Sequence, residues 1–508
     1  MHFFFISLTS LISLCNTATA ISIVKTEATQ DRHANHLFNA IHSSTRQWGS
    51  TLNHNGMSFF LASIPTDAKL YRGSWALDAM KCTERLALEP ELARMFAMSQ
   101  WATPKSKPSH EDVDKERPGS EGDMEGTELR KRHKEEQIPF IDNSSTPDPS
   151  HNSKGYLYTY SSTRPLRLLY IDGLSAVMTK NGTLDTQDIL LLDIRTSSGS
   201  DSAIIGDAER VHRMCELATS LWNKKIDGFL RMKSGLEVIL CKFESRVKRI
   251  NVEACNLDPR GQSECKEKGS RGTTGGWSYF KTLGGHDQDL RRETVVLNYE
   301  KFVSVFAYDR GAELGLWQND AMSDKLHPRL INSSPEHLKT IRDAVTDMIL
   351  ESDEKEENNT NWQVVTDKVV ERYALALHHM HTDVLIRSNK KHFASYLESL
   401  IEPFIIPSER DTTLEMERCI AESVPLLPPH STSSTAHMAI HSVTSHICST
   451  LISTYNESTL KPSLSLAALS SPPYRALDLI DTLVKSLQWT VWKECGPYSG
   501  HEVCPISA

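Results

Sequence analysis

Between residues 103 and 154 the chain almost loses its aliphatic side chains. It runs TPKSKPSHEDVDKERPGSEGDMEGTELRKRHKEEQ, dense in Pro, Gly, Ser and charges of both signs. Such a stretch buries too little apolar surface to offset the entropy of ordering it. It therefore predicts a disordered insertion or linker over 103–154, and the flanking segments must fold together across it. The basic cluster Arg130-Lys131-Arg132 inside it reads as solvated charge, with proteolytic processing as the functional alternative.

The flanks carry the periodicities of a mixed α and β region. Leu70-Tyr71-Arg72-Gly73-Ser74 predicts a strand, and the Leu86 to Ala97 segment a helix whose start holds Glu89 and Glu91. Tyr156 to Tyr160 and Leu166 to Ile171 are rich in aromatic, Thr and aliphatic residues, and predict two more strands. Asp207 to Lys224 predicts an amphipathic helix, with Val211, Met214, Cys215, Ala218, Leu221 and Trp222 on one stripe. Leu236 to Phe243 and Thr294 to Tyr308 return to strand-like content. The last third is helical. Ser334-Pro335 supplies an N-cap and an N1 proline. Asn361 to His381 is periodic, and further helices are expected near 389–402, 435–455 and 475–492. The fold class is thus α+β. A mixed α/β domain is made of 21–102 and 155–330, a helical domain spans 331–492, and a cysteine-bearing tail covers 493–508.

Composition narrows the function classes without choosing one. The 508 residues carry a net charge of −9, with 39% hydrophobic and 24% charged residues, which argues against a polybasic nucleic-acid binder and a multi-span membrane protein. Residues 1–20 open without an acidic group, run apolar from Phe3 to Leu14, and end Ala18-Thr19-Ala20. That pattern predicts a secretory signal peptide cleaved after Ala20. The apolar run is shorter than a membrane span requires. Nine of the ten cysteines lie beyond this leader. An oxidising compartment would pair most of them, and the locally spaced Cys255 with Cys265 and Cys495 with Cys504 are the disulfide candidates. Sequons at Asn143, Asn181, Asn332, Asn358 and Asn456 are glycosylation candidates.

The familiar phosphate-cradle, zinc-protease and nucleophile-elbow motifs do not occur. Gly272-Thr273-Thr274-Gly275-Gly276 reads as a flexible loop. His378-His379-Met380-His381 reads as polar positions late in a helix, and no metal site is expected. Asp172, Asp185, Asp188 and Asp227 form a candidate acidic cluster for a cation or for acid/base work, although Asp-Gly after a strand is also a common turn.

Three resemblances attach to specific residues. Tyr170-Ile171-Asp172-Gly173-Leu174-Ser175-Ala176, Ile226 to Met232, and Trp489 to Gly496 resemble a broad group of uncharacterised fungal secretory-pathway proteins, over most of the chain. That resemblance implies a fungal source and a shared fold, and brings no activity. The Leu70 to Ser74 strand, the helix after it and the 156–171 strand pair resemble the start of ADP-ribosyltransferase-like folds. There Arg72 would hold dinucleotide phosphates, because guanidinium suits bidentate phosphate recognition. Arg410-Asp411-Thr412-Thr413-Leu414-Glu415 is similar to the Asp-Asp-x-x-Glu motif of fungal arginine-containing cyclodipeptide synthases, with Thr412 at the second Asp. That similarity implies Asp411 and Glu415 as catalytic carboxylates and aminoacyl-tRNAs as substrates.

Together these features predict a fungal secretory-pathway protein without a transmembrane helix in its mature chain, and a transferase if it is an enzyme. A non-enzymatic secreted interaction protein is the alternative. No cofactor is identified by the sequence, and no nucleic acid is expected as a partner outside the aminoacyl-tRNA reading.

Overall fold

A computed structural model describes residues 33–74, 83–97, 155–179, 181–194, 205–255, 294–309, 313–317, 327–352, 360–426, 434–459 and 474–493. The expected leader over 1–20, the 103–154 segment, Arg130 to Arg132, the Gly272 loop, Asn143, Asn358, Cys265, Cys495 and Cys504 lie outside the described residues.

Among the described residues nine strands build one sheet: β1 (Asn55–Ile64), β2 (Lys69–Ser74), β3 (Glu84–Ala87), β4 (Gly155–Ser162), β5 (Leu166–Gly173), β6 (Gly228–Met232), β7 (Leu236–Leu240), β8 (Val247–Cys255) and β9 (Val296–Ser304). Their spatial order is β8-β4-β2-β3-β7-β6-β5-β1-β9. Among these described strands only the β5–β6 pairing is parallel, matching Leu168 with Gly228 and Tyr170 with Leu230. The continuous apolar runs of the central strands follow from burial on both faces. Every residue of β6 and β7 is buried.

The helices are α1 (Ala34–Ser43), α2 (Gln47–Leu52), α3 (Pro90–Ala97), α4 (Asp207–Thr219), α5 (Pro335–Leu350), α6 (Trp362–Thr382), α7 (Val384–Ser388), α8 (Lys390–Ile401), α9 (Thr412–Ser423), α10 (Thr435–Thr459) and α11 (Tyr474–Leu487). A single π-helical turn covers Thr186–Leu191. The α+β class expected from the sequence is the one observed, with the sheet in the first part and helices dominating the last third. Ser334 caps α5 by accepting the His337 amide, with Pro335 at N1, as its sequence predicts.

Sheet and helices share one continuous core, in which Phe59, Leu169 and Phe229 of the strands cluster with Leu377, Ile447 and Leu483 of the helices. The connection is also polar. Asn35 and Asn39 of α1 donate to the carbonyls of Ser486 (2.8 Å) and Leu487 (3.0 Å), so the first helix satisfies acceptors that α11 leaves open at its end. Phe38 stacks on Trp489 beside them.

Two local expectations are corrected. The helix from Asp207 stops at Thr219, because Asn223 and Lys224 adopt left-handed backbone (φ 48° and 60°). Leu221 consequently faces solvent, while Trp222 stays buried and donates to Thr346. The 86–97 segment is a short strand, β3, before it is a helix, since Pro90 fixes the start of α3.

Two disulfides are described: Cys215–Cys241, tying α4 to the end of β7, and Cys419–Cys448, tying α9 to α10. Neither is among the locally spaced pairs anticipated from the sequence. Their partners lie 26 and 29 residues apart and meet only through tertiary packing. Cys255 ends β8, and its expected partner is outside the described residues. No described helix is long and apolar enough to cross a membrane.

Candidate functional site

Asp172 sits at the carboxyl end of β5, where a strand of the parallel pair opens into a turn. Gly173 makes that turn at φ +67°, a conformation that favours glycine. Opposite it, a side chain on Gly56 would overlap the Asp172 carbonyl, so the backbones of β1 and β5 touch here. The buried Asp172 carboxyl accepts the Ser58 amide at 2.8 Å, and the Ser58 hydroxyl and Met57 amide also lie against it. Burial pushes the acid up to about 7, against the downward pull of those hydrogen bonds. Ser58 in turn donates its hydroxyl to Ser304 of β9 at 2.9 Å.

The neighbourhood of Asp172 is polar on the side of Asn55. Asn55 pairs with Gly173 across the strands, and its amide donates to the carbonyls of Asn181 (2.5 Å) and Pro328 (2.9 Å). His54, next in the chain, packs its ring against His327 with centroids 4.0 Å apart. Asp185 lies on the same side. It accepts from Arg329 Nε and from the Leu330 amide, both at 2.9 Å, and burial raises its pKa against the pull of Arg329. Asp185 is thus tied, through the 181–183 turn, to the Asn55 end of β1 that lies beside Gly173.

Of the other two acids of the expected cluster, Asp227 lies apart, and Asp188, whose charge reaches Asp185, is bound by a different set of partners. Asp227 immediately precedes β6 and pairs with Arg164 and Arg246, each at 2.7 Å. Its amide bonds the Arg167 carbonyl, which places it about 16 Å from Asp172 along β5 at the usual rise per residue. Asp188 is held by Arg210 through two bonds, of 2.5 and 2.8 Å. The four aspartates thus do not converge, and no group of three metal-ligand side chains occurs among the described residues.

Asp188 belongs instead to a buried charge network that the sequence reading does not single out. Arg231 of β6 and Arg210 of α4 are wholly buried. Arg231 donates to Glu237 of β7 (2.6 Å), to Gln187 (2.9 Å) and to Asp207 at the start of α4 (3.1 Å). Arg210 and Arg85 also reach Asp207, at 3.1 and 2.9 Å. Burial opposes ionisation of Asp207, but Arg231 and Arg85 outweigh it and hold the carboxyl below its ordinary range. The available signal is a charge inside an otherwise apolar strand: Arg231 between Leu230 and Met232, and Glu237 between Leu236 and Val238.

The remaining candidates have defined local roles. Arg72 is on β2 and pairs with Glu84 at 3.2 Å. Asp411 is the exposed N-cap of α9, accepting the Thr413 and Leu414 amides. Glu415, four residues further along, is buried. Arg410 grips it through two nitrogens, at 2.5 and 3.0 Å, and lies over the Tyr455 ring. Asn181 and Asn332 are exposed in turns, and Asn456 is half-buried on α10.

Residues 27–259 match the family model of the YPL277C N-terminal domain. This stretch contains β1 to β8 and hence Asp172, Asp185 and the buried charge network, but stops before β9 and the helical third. Two Saccharomyces cerevisiae proteins are similar over 237 residues, 44% of this chain. The uncharacterized protein YPL277C is 29% identical and the uncharacterized protein YOR389W is 28% identical. The matched stretch spans 42% and 32% of those relatives, less than half of either. No solved structure matches. The sheet-forming part of the chain is thus similar to the N-terminal domain of a group of uncharacterised fungal proteins.

Proposed function

We propose that the protein is a secretory-pathway transferase in which Asp172 handles the proton of the attacking group. The supporting observation is a buried carboxyl, held by backbone amides and raised to about 7, at the end of a parallel strand pair. A base whose pKa lies near the working pH is best matched to deprotonating a hydroxyl or amine as it attacks. The carboxyl ends of parallel strands are also where α/β sheets tend to bind ligands. The secretory part of the reading rests on the leader-like first 20 residues and on the two disulfides.

The test is expression of the full chain in a fungal host, with comparison of extract and medium metabolites. Asp172→Asn keeps the hydrogen-bond acceptor and removes the titration, so it should abolish any product the wild type makes. Asp411→Ala with Glu415→Ala tests the cyclodipeptide reading, and Arg72→Ala the ADP-ribosyl reading. Product lost in one of those arms and retained in Asp172→Asn would overturn the assignment to Asp172.

The second reading, a secreted interaction protein, is favoured by the surface of α7. Val384 and Leu385 are 75% and 73% exposed there, beside a groove lined by Ile386, His392 and Tyr396. A metabolite profile identical for wild type and every variant supports this reading over the first.

A further inference from the structure

The 181–183 turn is built without using the Asn181 side chain. The Asn55 amide holds the Asn181 carbonyl at 2.5 Å. The Asn181 amide donates to the Thr179 hydroxyl at 3.3 Å, and the Thr183 hydroxyl donates to the Val177 carbonyl at 2.5 Å. Thr183 is buried and Asn181 exposed. Each of these bonds uses backbone or a threonine hydroxyl, so a substituent on the Asn181 carboxamide would project from the turn and leave the turn's bonds intact. Asn456 differs. Its carboxamide oxygen accepts from Arg410 at 2.8 Å, and the same guanidinium neutralises the buried Glu415. A bulky group there would crowd the cation that a buried carboxylate depends on.

The geometry points to Asn181 as the place where this fold carries N-linked carbohydrate, with Asn456 left bare. This rests on the secretory reading above. The donor is a lipid-diphosphate-linked oligosaccharide. The Asn181 carboxamide nitrogen forms a bond to the sugar's anomeric carbon as that carbon's bond to the diphosphate oxygen breaks. The amide proton leaves to a base of the host's transferase, and the lipid diphosphate departs. Because the Thr183 hydroxyl is buried in the folded turn, transfer precedes closure of the turn, and the finished fold then accommodates a glycan at Asn181 and not at Asn456.

The test uses the full chain purified from a fungal host. Hydrolysis of the sugar–asparagine amide bond by a glycan-releasing amidase in heavy-oxygen water, followed by peptide mass spectrometry, reads each sequon as labelled aspartate or unchanged asparagine. The expected result is label at Asn181 and none at Asn456. Correspondingly, Asn181→Gln should lower the apparent mass on a gel by one glycan step, and Asn456→Gln should not. Label at Asn456, or unmodified Asn181 in a chain labelled at other sequons, overturns the proposal while sparing the secretory reading. A chain without label at any sequon and retaining its leader overturns both.

Discussion

The Ser58 amide donates to the Asp172 carboxyl at 2.8 Å across the β1–β5 boundary, fixing a buried acid at a strand end through backbone donors. The contrast lies within the same sheet. Asp185, Asp188 and Asp227 are each hydrogen-bonded or ion-paired to an arginine.

This placement makes stability depend on pH. The folded Asp172 pKa is raised to about 7 from 3.8, so its contribution is fully present below the unfolded value and is lost as pH rises through 7. Asp172→Asn should therefore gain stability relative to wild type from about pH 4 to 7, by about 1.4 kcal/mol for every tenfold fall in proton concentration, and level off above. Thermal unfolding of both proteins across this range checks it; a constant gap would show an ionised carboxyl in the fold.

His36 should act in the opposite direction. Burial, with help from His33, lowers its pKa to about 4. Its contribution is present above the ordinary value of 6.5 and is lost as pH falls toward 4. His36→Phe, which keeps a ring stacked on Phe306 and against Trp317, should flatten this acid limb in a pH series of melting temperatures.

Arg231→Met would leave Asp207 and Glu237 with one cation fewer in a buried setting. Removing one member of a buried charge group costs about 3–5 kcal/mol. Denaturant titration should show a loss of that order, and Arg213→Met, at an exposed i,i+4 pair with Glu209, should stay within about 0.5 kcal/mol.

Replacing Cys215 and Cys241 together by Ala opens a loop of 26 residues, and the matching change at Cys419 and Cys448 opens one of 29. Each should cost about 3–4 kcal/mol in the chain-entropy account. Peptide mapping without reductant should recover both linked peptides from the wild type.

Local chemistry is readable in the sequence and tertiary pairing is not. Tyr156 to Tyr160 and Leu166 to Ile171 are strands because their aromatic and branched side chains suit a buried pleated surface, and the sequence shows this directly. The Ser334-Pro335 cap is equally local. By contrast, Glu415 reads as an exposed acid until Arg410 and α10 fold over it. Cys215 and Cys241 have no signal in their spacing, because α4 must first dock on β7. At the site, Asp172-Gly173 is visible as a strand-ending turn. Its burial beside Ser58 depends on β1, more than a hundred residues earlier in the chain.

The most direct test of Asp172 as the proton-handling group is difference infrared spectroscopy of its carboxyl through a pH titration. The account predicts a protonated-carboxyl band that disappears with a midpoint near pH 7 in the wild type and is missing in Asp172→Asn. A wild-type protein whose carboxyl bands are all gone above about pH 5, the behaviour of ordinary carboxylates, would contradict it.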